Sequence, residues 1–129
     1  MPPAPRVVLI ADDNRDIGVL LTRIMRPLGL APIVVMTGAD AIAAARHHAL
    51  ELAAAFLDIQ MPDMSGVDAA IVLQQLVPQL PIVLMSGGIP AHLASNIGQL
   101  SLAGFLQKPF RIDEVRTLLM QLGLTGTIP

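Results

Sequence analysis

Five short apolar runs, at residues 7–11, 31–36, 52–57, 81–85 and 103–107, recur along the chain, each followed by a longer segment. Runs of this length bounded by turn residues read as strands buried on both faces. The first intervening segment carries Ile17, Leu20, Leu21, Ile24, Met25 and Leu28 at steps of three and four, which makes one apolar helical stripe ended by Gly29. The last segment places Ile112, Val115, Leu118, Leu119 and Leu122 on one face, with Asp113 and Glu114 in the first turn and Gly123 after it. Residues 38–47 are Ala-rich with Asp40 near the start, and residues 66–76 stop short of Pro78. Residues 89–99 also read as a helix and are expected to be the most mobile element. Gly87 and Gly88 precede it, and Pro90, Ser95, Asn96 and Gly98 lower its propensity. Strands alternating with helices predict βαβ units and an α/β fold, a three-layer, doubly wound, five-stranded parallel sheet.

The 129 residues suit one domain with one core. Residues 6–124 are expected to form it, with tails at 1–5 and 125–129 and no internal repeat. Hydrophobic residues make up 53% and charged residues 14%, yet Pro, Gly and charges interrupt every run well before a bilayer could be spanned. The first residues lack the basic-then-apolar order of a secretory signal. Cysteine is absent, which excludes a disulfide framework and a thiolate metal site and fits a cytoplasmic setting. A net charge of −2, no basic cluster and only three aromatic residues, all Phe, argue against direct nucleic-acid binding.

The residues that follow the runs carry the chemistry. The first run is followed by Asp12 and Asp13, the third by Asp58, the fourth by Ser86, and the fifth by Lys108, the one lysine in a chain with seven arginines. In a parallel sheet these ends share one edge, where ligands of doubly wound folds bind. Three adjacent carboxylates raise one another's pKa unless a cation balances them. Their oxygens suit a hard divalent ion, and Mg²⁺, which takes a few carboxylates with waters and phosphate oxygens, fits an incomplete cage. An aspartate also serves as a nucleophile toward phosphorus. The transferred group then needs positive charge and donors around its oxygens, which Mg²⁺, the Lys108 amine and the Ser86 hydroxyl would supply.

Four segments in this order carry a family resemblance: Ile10-Ala11-Asp12-Asp13-Asn14, the stretch from Leu57-Asp58-Ile59-Gln60 through Met61-Pro62-Asp63-Met64-Ser65-Gly66, Met85-Ser86-Gly87, and Gly104-Phe105-Leu106-Gln107-Lys108-Pro109-Phe110. Together they resemble the receiver domain of two-component response regulators. The resemblance implies a flavodoxin-like sheet of strand order 2-1-3-4-5 and a module that takes a phosphoryl group from a histidine kinase or histidine phosphotransfer protein, then switches conformation. It implies that Asp58 is the phosphoacceptor. Mg²⁺ would be held by Asp13, Asp58 and the backbone carbonyl of Gln60, with Asp12 acting through a water. Lys108 would pair with the phosphoryl group, or with Asp58 before transfer. Ser86 and Phe105 would form the switch, and the bond before Pro109 would be cis. At most slow self-dephosphorylation is expected, flanked by Gln60 and Gly88, rather than enzymatic turnover. The wording from Leu84 to Gly88 and from Gly104 to Phe110 resembles receivers attached to hybrid sensor histidine kinases.

Other readings attach to the same residues. An aspartate-nucleophile, Mg²⁺-dependent phosphatase also uses Asp, Ser or Thr, and Lys, but its general acid would fall at Gln60, an amide that cannot protonate a leaving group. A degenerate receiver would act only as a docking module. Asp12 and Asp13 would also suit a solvated turn and helix cap. Asp63, Ser65 and Gly66 read as a structural loop before a helix. His47, His48 and His92 lack a matching ligand set, and the methionines read as packing.

Overall fold

The computed structural model describes residues 6–125. Of the expected tails at residues 1–5 and 125–129, residues 1–5 and 126–129 lie outside the described residues. The elements run β1 (Arg6–Ala11), α1 (Arg15–Met25), β2 (Leu30–Val35), α2 (Gly38–His47), β3 (Leu52–Asp58), α3 (Gly66–Leu76), β4 (Ile82–Ser86), α4 (Ala94–Ile97), β5 (Leu102–Gln107) and α5 (Ile112–Gln121). All strand pairs are parallel and the order is β2-β1-β3-β4-β5, so the doubly wound fold expected from the sequence is the observed one.

Alternation along the strands sorts the core into two layers. Val8 and Ile10 of β1, Phe56 of β3 and Val83 and Met85 of β4 face α1 and α5, where they meet Leu21, Ile24, Met25, Val115 and Leu119. Leu9 and Ala11, Ala55 and Leu57, and Ile82 and Leu84 face the opposite side and meet Ala41, Ala45, Val67, Ala70 and Leu73 of α2 and α3. The small residues of α2 suit a helix laid close against the sheet. Strand order reverses between β1 and β3, which opens a crevice at their C-terminal ends.

Two helices end differently from the sequence expectation. The stripe of α1 continues to Leu28, but Pro27 lacks an N–H to donate back into the helix, and Arg26–Leu28 tightens into a 3-10 turn closed by Gly29 at φ 83°. Residues 89–99 do not form one helix. A 3-10 turn at Ala91–Leu93 leads into α4, which is only four residues long. Pro90 fixes an extended entry (φ −59°, ψ 136°), no side chain caps the start, and Ser95, Asn96 and Gly98 favour turns over helix. The stretch is held by Leu93, with partly buried Ile97 and Leu100 beside it.

Candidate functional site

Asp12, Asp13, Asp58, Ser86 and Lys108 each sit at or just beyond a strand's C-terminal end, because the strands are parallel and end on one edge of the sheet. Asp12 follows β1 and is fully buried; Asp58 ends β3 and is 5% exposed; Asp13 stands at the rim in solvent. One carboxylate oxygen from each of the three lies within 4.8 Å of the others. Asp12 Oδ1 accepts the Asn14 N–H at 2.8 Å, so Asp12 braces the turn while Asn14, not Asp12 or Asp13, caps α1 by accepting the Asp16 N–H.

Lys108 reaches into this cluster from the end of β5. Its Nζ lies 2.8 Å from Asp12 Oδ2 and 3.4 Å from Asp58 Oδ2. The ammonium therefore leans toward Asp12, where the sequence pointed to Asp58. The lysine ammonium is the group that meets the buried Asp12 Oδ2, as a close ion pair. Burial raises the pKa of Asp58 most, and the Asp12 charge raises it further; Lys108 and the Gln60 N–H, 3.3 Å from Asp58 Oδ1, pull the other way. Burial lowers the pKa of Lys108, but the Asp12 and Asp58 carboxylates together outweigh it, and the net shift is upward.

Three carboxylates facing one ammonium leave uncompensated negative charge in a part-buried crevice, and the exposed Asp13 leaves one side open to water. Hard oxygen donors with an open side fit a hydrated divalent cation such as Mg²⁺, and Asp12, Asp13 and Asp58 are the side chains that would hold one.

Ser86 ends β4 one residue beyond Met85, the register partner of Asp58. Its hydroxyl is turned into its own loop: Oγ donates to the Gly88 carbonyl and accepts the Gly88 N–H at 3.0 Å. Phe105 lies on β5 with 38% of its surface exposed, beside a groove of about 310 Å³ against Thr117, Leu118 and Gln121 of α5. The Lys108–Pro109 peptide bond is cis.

The family model of the response regulator receiver domain matches residues 8–120. The chain belongs to that family. The probable transcriptional regulatory protein TcrX of Mycobacterium tuberculosis is 32% identical over 127 residues, covering 94% of this chain and 53% of that protein. The autoinducer 1 sensor kinase/phosphatase LuxN of Vibrio campbellii is 31% identical over 112 residues, 87% of this chain and 13% of LuxN. The receiver domain thus spans about half of one relative and a small part of the other. The solved signal receiver domain of a putative LuxO repressor protein from Vibrio parahaemolyticus is 26% identical, with a TM-score of 0.78 and coverage of 93% of this chain and 92% of that one. A chemotaxis protein of Vibrio cholerae shares the fold at 20% identity, with a TM-score of 0.81 and coverage of 92% and 99%. Receiver domains are phosphoacceptor modules of two-component signalling rather than turnover enzymes. They bind Mg²⁺ through acidic residues and work with histidine kinases and output domains. Among the described residues no helix is long and apolar enough to cross a membrane.

One role in this receiver domain escaped the sequence. Asp63 reads there as a loop residue, but its Oδ1 and Oδ2 accept the N–H groups of Gly38 and Ala39 at 2.8 and 2.9 Å. The partners lie 25 and 24 residues away, beyond any local pattern. The one hint, an acidic residue in a loop after a strand, fits many solvated turns equally well.

Proposed function

We propose that Asp58 accepts the phosphoryl group. The juxtaposition of Asp58 with Asp12, Asp13 and Lys108 is the single observation that carries this reading. An ionised Asp58 oxygen attacks phosphorus, the P–N bond of a donor phosphohistidine breaks, and the departing imidazole nitrogen takes a proton from solvent. Lys108 lies close enough to follow the new charge, moving its ammonium from between Asp12 and Asp58 to a phosphoryl oxygen. Asp13, Asp58 and the Gln60 backbone carbonyl would hold Mg²⁺, with Asp12 acting through a water. When bound, that ion supplies the positive charge that keeps the carboxylates ionised and offsets the incoming phosphoryl oxygens. Ser86 exchanges its Gly88 partners for a phosphoryl oxygen, and Phe105 leaves its exposed position for the space this movement opens. Among the described residues the Ser86 hydroxyl bonds only to Gly88 of its own loop, which supports that exchange.

The donor is a histidine kinase or a histidine phosphotransfer protein, in the cytoplasm. Loss of the group is slow self-dephosphorylation, without turnover of a substrate. The resemblance to hybrid-kinase receivers, with LuxN a sensor kinase/phosphatase by name, supports a place in such a relay. Incubation with acetyl phosphate and Mg²⁺, followed by intact-mass measurement, tests the assignment. One phosphoryl adduct is expected, absent in Asp58→Asn. An adduct that persists in Asp58→Asn overturns the site, and sustained Asp58-dependent hydrolysis of p-nitrophenyl phosphate favours the phosphatase reading.

A further inference from the structure

The loop between β3 and α3 carries Gln60 directly beside Asp58, and it is tied down at three points. Gly66 N–H donates to the Ile59 carbonyl at 2.8 Å and closes the loop's base, where a Cβ on Gly66 would overlap the Asp58 carbonyl. Gln60 and Ser65 pair across it as an isolated antiparallel bridge. Its tip is held from outside: both Asp63 oxygens accept N–H groups from the first turn of α2, and the Met64 side chain fills the space over Gly38 where a Cβ would stand.

We infer that Asp63 is a positioning residue for the phosphoacceptor site: its two bonds to the start of α2 hold the β3–α3 loop so that the Gln60 backbone stays aligned with Asp58. The inference deepens the reading above and rests on it for the role of Gln60. The bonds to Asp63 are charge-assisted, and they satisfy two of the N–H groups that a helix start leaves without partners. The same bonds hold the Asp63 pKa below its ordinary value. Thr37 meanwhile accepts the Asp40 N–H, so α2 keeps its own cap and does not depend on Asp63 to begin. The effect of Asp63 therefore falls on the loop more than on the helix. The Gln60 N–H donates to Asp58 Oδ1 at 3.3 Å, so a slack loop loosens the nucleophile along with the carbonyl beside it.

Two measurements on the full chain test this, neither needing a phosphodonor. Amide hydrogen exchange without metal reads the loop, and calorimetric Mg²⁺ titration reads the site. Asp63→Ala is expected to speed exchange at Gln60 and weaken Mg²⁺ binding roughly tenfold, the scale for partners that orient ligands. Asp63→Asn keeps one acceptor oxygen and should recover part of both. Wild-type exchange at Gln60 or wild-type Mg²⁺ affinity in Asp63→Ala overturns the inference. So does a loss of both in proportion to a lowered melting temperature, with no recovery in Asp63→Asn, because that outcome marks a merely structural residue. If the wild-type protein binds no Mg²⁺, the reading of the site fails instead, while Gln60 exchange still reports whether Asp63 holds the loop.

Discussion

The two ends of the site are built to different tolerances. On the β1 and β3 side the strands are buried almost throughout, and the loop after Asp58 is fastened by Gly66, Ser65 and Asp63. On the side beyond β4, α4 is four residues long, Ile89 is 48% exposed, and β5 buries only Leu106 fully. Ser86 there bonds within its own loop, while Gln74 of α3 clamps the far end by donating to the Ser101 carbonyl at 2.9 Å and accepting the Ser101 N–H at 3.2 Å. A reacting carboxylate needs one position, since small displacements cost rate steeply. A reporting element needs two arrangements close in free energy, and few buried contacts keep them close. The two demands fall on neighbouring strands, so the fold meets them with different packing on either side of β4.

Gly66→Ala attacks the stiff side and should have the largest effect. The added Cβ meets the Asp58 carbonyl and the Ile59 backbone, and backbone at the base of a closed loop has little room to yield. Overpacking of this kind is expected to cost about 3 kcal/mol of stability, read by urea unfolding. A loss below about 1 kcal/mol would mean that the base of the loop gives way, and the contrast between the two sides would weaken.

Asp58→Asn sharpens the comparison by asking what the stiffness costs. Asp58 has a raised pKa, with burial the main cause and Asp12 the second, so the folded protein binds its proton more tightly than the unfolded chain does. Below the ordinary value of 3.8 the group is protonated in both states and carries no penalty. As pH rises through 3.8 toward the raised folded value, the unfolded chain ionises first and stability is lost; above the folded value the loss is complete. The neutral amide escapes this cost. Asp58→Asn without metal should therefore melt a few degrees above wild type at neutral pH, the gain fading below pH 3.8, as thermal scans across pH would reveal. A variant that melts below wild type at pH 7 would show that the Lys108 pairing outweighs burial and Asp12.

The sequence exposed the tightly packed side far better than the lightly packed one, for physical reasons. Buried strands write their apolar character into contiguous residues, and a parallel sheet puts Asp12, Asp13, Asp58, Ser86 and Lys108 on one edge once the strands are found. The preference of Lys108 for Asp12 was not legible, because it depends on side-chain reach across β3 and β4. Nor was the tie from Asp63 to α2, which joins residues far apart in the chain. The segment after Ser86 misled because buried Leu93 and partly buried Ile97 and Leu100 stand at helical spacing, while Pro90 and Gly98 limit the helix to one turn.

Gly87→Ala probes the lightly packed side and should have the smallest effect on stability. A Cβ at Gly87 meets nothing within 4 Å, and its φ is not in the left-handed region, so the folded state accepts alanine without strain. The unfolded chain loses conformational freedom, which should raise stability by about 0.5 kcal/mol. If Ser86 leaves Gly88 for a phosphoryl oxygen as proposed, the same restriction acts at the hinge and makes that exchange harder. Urea unfolding should show the small gain, and the shift of the Phe105 ring resonances on adding Mg²⁺ and beryllofluoride should shrink. A full Phe105 response in a stabilised Gly87→Ala protein would place the hinge elsewhere, with Gly88 the next position to restrain. A loss of stability above about 1 kcal/mol would show that the loop is as tightly specified as the base of the β3–α3 loop, and the division of labour across β4 would fall.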